Sequence, residues 1–174
     1  MLEDDPITVI LAHHAGHLVL CNSMETIADS LPDKVDLAIC GTVIDALAER
    51  VDRHHRFEEQ VLFPLLRRRA ASDTGLIASL DRLGEEHHID EGHAGEVMDL
   101  LGAIRRGSLD ISPDAAGYML RGLFESMRRH IAFENDHILP AARRLLTTAD
   151  LVDLRVALAL GDFASLDRPP VNRG

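Results

Sequence analysis

The sequence is poor in aromatic side chains, in thiols and in positive charge. Aromatics make up 3% of its 174 residues, with no tryptophan and one tyrosine. This disfavours a β-sandwich, whose core relies on aromatic and β-branched side chains, whereas the plentiful Leu, Ala and Arg favour helices. Cys21 and Cys40 are the two cysteines. They are too few and too far apart for a disulfide framework or a thiolate zinc site, and both read as small core residues. A formal net charge of -11 repels phosphate, which excludes nucleic acid and anionic membrane as expected partners. The start, Met1-Leu2-Glu3-Asp4-Asp5, lacks the basic segment of a signal peptide, and the apolar run from Ile7 to Leu11 is too short to span a bilayer. A soluble cytoplasmic protein is expected. The length suits one domain with a sizeable core, expected over residues 1–160, with 161–174, containing Pro169 and Pro170, as a disordered tail.

What the chain does contain is one stretch written twice. His54-His55-Arg56-Phe57-Glu58 through Phe63-Pro64 aligns without a gap on His130-Ile131-Ala132-Phe133-Glu134 through Leu139-Pro140. Each copy has His, Phe at +3, Glu at +4, an apolar pair at +8 and +9, and Pro at +10. On a helix, residues four apart differ by about 40° in azimuth and about 6 Å along the axis, so each His and its Glu share a face.

A single pair of this kind is common on solvated helices, and its setting decides its meaning. Ile44, Leu47, Val51, His54, Glu58, Val61 and Leu65 follow alternating steps of three and four, the spacing of a core-facing seam. Leu120, Leu123, Met127, His130, Glu134 and Ala141 lie on a similar seam. Burying an unpaired carboxylate costs several kcal/mol, so a chain that does so twice requires a cation or a full hydrogen-bond network in compensation.

The rest of the pattern supplies four long helices and a short fifth. The first, opened by Pro6, runs to about Ala28 and carries two adjacent stripes, in which His13, His14 and His17 compete for one inward position. The second spans about Val35 to Arg69, with Pro64 kinking its last turn and Arg67 to Arg69 complementing its C-terminus. The third, about Leu76 to Ile104 after Ser72 or Asp73 as N-cap, presents Ile77, Leu80, Gly84, His87, Glu91, Ala94, Met98 and Leu101 in a seam. His88 and His93 fall outside that seam and read as solvated. Gly107 closes this helix, and Ser112-Pro113 opens the fourth, which reaches about Leu146 and is kinked near Pro140. Thr148 is expected to cap a fifth helix that packs through Leu151, Leu154, Val156 and Leu158. Short connections make this an all-α, antiparallel up-down-up-down four-helix bundle with a short C-terminal fifth helix. Counted from one end, His14, His54, His87 and His130 lie roughly 8 to 16 residues deep, about 12 to 24 Å, so one cluster is feasible.

Imidazole plus carboxylate without thiolate suits iron, manganese or zinc. Glu58 and Glu134, from different helices, can bridge two ions, which favours a dinuclear centre. Glu59, next to Glu58 but off the seam, is read as a residue that the centre does not need.

With its four-helix order and the segments Glu58 to Leu66, Glu85-Glu86-His87 and Arg128 to Asn135, the sequence resembles the hemerythrin-like, HHE cation-binding family over about Ile7 to Leu146. The resemblance implies a non-haem di-iron centre with a bridging oxygen atom and two bridging carboxylates. It implies His54 and Glu58, His87, and His130 and Glu134 as metal ligands from the second, third and fourth helices. His14 is the best match for the first-helix ligand, because bacterial members often place Cys seven residues later, as Cys21 is here; His13 and His17 stay in play. Oxygen-carrying members have a His four residues after the third-helix ligand, where this chain has Glu91. Glu91 is therefore expected as a terminal carboxylate ligand, favouring ferric iron over simple reversible oxygen carriage. His137 sits near the seam as a spare ligand or a core histidine. The leading functional expectation is binding or sensing of oxygen, nitric oxide or peroxide. The alternative is a di-iron peroxidase or catalase-like enzyme in which Glu91 or a spare His moves protons. Iron storage ranks lower, since one two-ion site stores little. A protein partner is not specified by the sequence.

Overall fold

A computed structural model describes residues 5–160, and the expected tail at 161–174 lies outside them. Local chemistry sets each helix boundary. Helix α1 (Pro6–Ser30) starts where Asp5 accepts a hydrogen bond from the Ile7 amide, with Pro6 in the first turn. Helix α2 covers residues 37–69 and starts two residues after Val35, because Asp36 accepts from the Ala38 and Ile39 amides. Asp73, not Ser72, caps α3 (Thr74–Arg106), and Gly107 ends it at φ 65, a left-handed conformation that glycine adopts without a Cβ clash. Ser112 caps α4, residues 113–145, by accepting from the Ala115 amide.

The two prolines expected to kink their helices are met by π-helical turns. In α2 the turn Glu58–Leu62 leads into the segment that carries Pro64, and in α4 the turn Glu134–Ile138 leads into the segment that carries Pro140. Proline has no N–H to donate, and its ring collides with the carbonyl one turn back; a wider i→i+5 turn absorbs both without breaking the rod. Both of these π turns begin at the repeated glutamate; a further one in α2, Leu47–Val51, has no proline beside it.

The four long helices pack in a closed ring, α1 against α2 and α4, and α3 against α2 and α4. Two apolar cores fill this ring at different levels. One contains Cys21, Met24, Cys40, Val43, Val97, Leu101, Leu120 and Phe124. The other contains Ile7, Ile10, Phe57, Leu62, Leu66, Leu80, Leu83 and Ile138. Between them every long helix contributes a buried polar side chain: His14, His54 and Glu58, His87, and His130 and Glu134. Helix α1 is by length and composition apolar enough to cross a membrane. In the bundle its inward face carries His14 and His17 beside Ile10, Leu20, Cys21 and Met24.

Helix α5 (Thr148–Leu160) begins after a reciprocal cap made by Thr147, not Thr148. The Thr147 amide donates to Asp150 at 2.8 Å, and the Asp150 amide donates to the Thr147 hydroxyl at 3.3 Å. Arg69 is more than a complement to the α2 terminus. Its guanidinium donates to both Asp150 carboxylate oxygens, at 2.8 and 3.0 Å, and ties α5 to the bundle. Leu154 and Ala157 are the buried contacts, whereas Val156, expected inside, is exposed. Asp150→Ala removes cap and clasp together. Chemical denaturation of this variant is expected to show a loss of about 1–3 kcal/mol, with the Arg69 exposure limiting the ionic share, and no change in metal content.

Candidate metal centre

The inward seams of the four long helices bring six side chains within reach of one another. Glu58 and Glu134 are 0% and 1% exposed, deeper than carboxylates normally lie. The Nε2 atoms of His14 and His54 are 3.0 Å apart, and so are those of His87 and His130. The carboxylates connect these two imidazole pairs. Glu58 Oε1 lies 3.2 Å from His54 Nε2 and 3.7 Å from His14 Nε2, while its Oε2 lies 3.4 Å from His87 Nε2. Glu134 Oε2 lies 3.4 Å from His14 Nε2, and its Oε1 lies 3.3 Å from His130 Nε2. Two overlapping donor groups result, His14, His54, Glu58 and Glu134 on one side and Glu58, His87, His130 and Glu134 on the other.

Polar groups outside this layer fix the ring orientations. His14 Nδ1 donates to Asn135 Oδ1 at 2.7 Å, His87 Nδ1 to Glu59 at 2.9 Å, and His130 Nδ1 to Glu86 at 3.1 Å. A proton held on Nδ1 leaves the neutral ring with its lone pair on Nε2, aimed inward, the tautomer a metal ligand requires. Asn135 follows Glu134 directly and reaches α1 from α4. Glu59 follows Glu58 and reaches α3 from α2. Both were missed as anchors because adjacency in sequence places them off the seam; only the neighbouring helix shows what they hold. The contact gives Glu59 a part in orienting His87 that its place off the seam did not show.

The sequence candidates divide clearly. His14 joins the cluster, His17 is buried beside it with its ring 4.9 Å from that of His54, and His13 is exposed. Glu91 is exposed and lies outside both donor groups, so the expected terminal carboxylate is not brought to the site. The reason is register. Leu80, His87, Ala94 and Leu101 are compatible with either of two flanks, and the buried flank is Leu83, Asp90 and Val97 rather than Gly84, Glu91 and Met98. The more apolar Leu83 and Val97 were the available signal. His137 is exposed and packs against Phe133, outside the cluster. His88 is exposed, whereas His93 is half-buried and hydrogen-bonded to the Met119 carbonyl at 3.1 Å. His55, not predicted, is 6% exposed and stacks on His87 with ring centroids 4.0 Å apart.

The electrostatics fit a cation. Both oxygens of Glu58 and Oε1 of Glu134 are buried and accept no hydrogen bond among the described residues. Burial alone would raise the Glu58 carboxyl, but His54 and contacts from His14, His54 and His87 hold it well below the usual range. Burial lowers His130, yet its contact with Glu134 and the surrounding carboxylates outweigh this and push it up to about 9. His14 and His87 are raised in the same way against their own burial, chiefly by Glu58. Two buried carboxylates therefore draw positive charge inward, as protons or as metal ions. The donors are nitrogen and oxygen, suited to iron, manganese or zinc.

Fold and site together define a helical bundle with a carboxylate-linked histidine cluster at its centre, the arrangement of a cation-binding bundle. The hemerythrin HHE cation binding domain matches residues 5–142, and the chain belongs to that family. No curated protein matches the sequence.

Each side chain has a separable role in metal uptake. Glu58→Ala or Glu134→Ala removes an oxygen from both donor groups and is expected to abolish paired metal uptake, measured as metal per chain after reconstitution. Glu59→Ala leaves the donors in place but frees His87 Nδ1; a loss of about 10- to 100-fold in metal affinity is expected, and unchanged affinity would refute the anchoring role.

Protons and cations compete for this layer. In metal-free protein the raised His130 contributes stability that is complete below its unfolded value of 6.5 and is lost as pH rises through about 9. Thermal unfolding of metal-free protein is thus expected to weaken over that window, and metal binding at pH 7 is expected to release protons. Calorimetry in buffers of different ionisation enthalpy measures the release.

Proposed function

We propose that the chain is a cytoplasmic, non-haem di-iron protein that binds or senses a small ligand, namely oxygen, nitric oxide or peroxide. The observation that carries this reading is the division of each carboxylate, with one oxygen toward each imidazole pair. His14 and His54 with one oxygen from each glutamate would hold one ion, and His87 and His130 with the remaining oxygens the other. Iron held there by these residues would supply electron exchange and a place for a small ligand to bind.

The protein's own contribution is to orient and to exclude water. Asn135, Glu59 and Glu86 lock three imidazoles, while the apolar cores above and below keep the layer dry. A cleft of about 350 Å³ lies between α2, α3 and α4, lined by Leu47, Val51, Met98 and Met127 together with His55, Asp52, Arg56, Asp90 and Glu91. Its wall is mixed, apolar and charged side chains lying side by side, and its size suits a small molecule.

His55 supports a second reading as a peroxide-decomposing enzyme. It lines this cleft and stacks on His87, and its Nδ1 is buried and makes no hydrogen bond among the described residues. Glu91 lines the same cleft, so two side chains able to exchange a proton stand on its wall.

Iron content and visible absorption of aerobically handled protein test the centre; about two irons per chain and ferric charge-transfer bands are expected. Protein that holds zinc alone, or no metal after anaerobic iron reconstitution, would overturn the di-iron reading. Peroxide added to the loaded protein then separates the two activities: sustained oxygen release favours the enzyme, and a stoichiometric spectral change favours binding.

A further inference from the structure

Three of the four inward-facing imidazoles have a protein acceptor for their outer nitrogen, and His54 does not. His54 is 5% exposed, and its Nδ1 is buried without a hydrogen-bond partner among the described residues. Nε2 lies toward the carboxylates, which leaves Nδ1 on the outer side of the ring, and His54 is one of the residues lining a cleft of about 430 Å³ formed by α1, α2 and the end of α5. The other polar residues of this cleft are His13, His17, Arg50 and Arg53. No acidic side chain lines it among the described residues, an unusual setting in a chain of net charge -11. The two guanidinium groups are permanently charged and make no ion pair among the described residues, unlike Arg56 one turn on, which pairs with Asp52 at 2.7 Å. Phe57, Leu158 and Leu160 form an apolar wall on the same cleft.

We propose that this cleft binds a small organic carboxylate, with its oxygens accepting from His54 Nδ1–H and from Arg50 and Arg53, and its hydrocarbon part against Phe57 and Leu158. The ligand takes the place that Asn135, Glu59 and Glu86 occupy on the other three rings. The inference rests on the metal reading in one respect: a cation at Nε2 would fix the ring proton on Nδ1, the nitrogen left for a ligand to engage. The charge of the cleft selects an anion, and its apolar wall selects an organic one over an inorganic oxyanion. An acceptor on Nδ1 also makes His54 a stronger donor to the metal, so occupancy of the cleft is felt at the centre.

Hexanoate is a suitable probe, titrated calorimetrically into full-length, metal-loaded protein, with hexanol and inorganic phosphate as comparisons. Hexanoate is expected to bind at least about tenfold more tightly than either, and the double variant Arg50→Gln/Arg53→Gln is expected to lose at least about tenfold in hexanoate affinity with unchanged metal content. A hexanoate-dependent shift of the visible bands, absent in the double variant, is the second expected result. No binding at about 10 mM overturns the proposal. So does hexanol binding as tightly as hexanoate, which marks a merely apolar cleft, or phosphate doing so, which marks an unselective anion trap. Equal hexanoate affinity in the double variant overturns it as well. Metal content is measured on the same samples, so the two readings fail separately. Protein that takes up no metal overturns the centre and its coupling to the cleft, whereas loaded protein that ignores hexanoate overturns the carboxylate site alone.

Discussion

Two buried carboxylates, Glu58 and Glu134, set the terms for the rest of the structure. They lie in a polar layer between two apolar cores, where a bare negative charge is poorly tolerated and where, among the described residues, imidazoles are the groups placed to balance it. The four histidines, one from each long helix, answer that demand, and Asn135, Glu59 and Glu86 then answer the histidines by holding their outer nitrogens. Charge is thereby handed outward in steps, from the layer at the centre to Glu59 and Glu86, which solvent reaches.

The two copies of the repeated stretch solve one problem twice. Each must present a His and a Glu on one face and also pass a proline six residues beyond the Glu. In each a π-helical turn opens at the Glu, lengthening the backbone repeat just where the carboxylate must point inward. The proline is thus linked to the site through the backbone.

The bundle offers two unlike approaches to this layer. Between α2, α3 and α4 the wall mixes apolar side chains with charges of both signs, and His55 on it is stacked on His87. Between α1, α2 and α5 the charged side chains on the wall are Arg50 and Arg53, in the same cleft as His54. The two approaches therefore differ in charge and occupy separate faces. Helix α5, fastened by Arg69 and Asp150, closes the second face as well as covering the core.

Much of this was legible along the chain. The three-four spacing marked the helices, the cap Ser112 and the closing Gly107 marked two of their ends while Ser72 and Asp73 stayed open at a third, and the gapless repeat singled out His54, Glu58, His130 and Glu134. These are local or periodic properties, written in the order of residues and independent of what lies opposite. The tertiary structure decided whatever depends on a neighbour. It chose between His13, His14 and His17, because all three lie within about one turn and only packing against α2 and α4 separates them. It excluded Glu91, because the seam of α3 fits two flanks until Leu83 and Val97 are buried. It also brought out Glu59, Glu86, Asn135 and His55, whose roles lie across gaps between helices. Sequence determined which faces turn inward, through the period of the helix; only the pairing of those faces decided which side chains meet, because contact distance is a property of two helices and not of one.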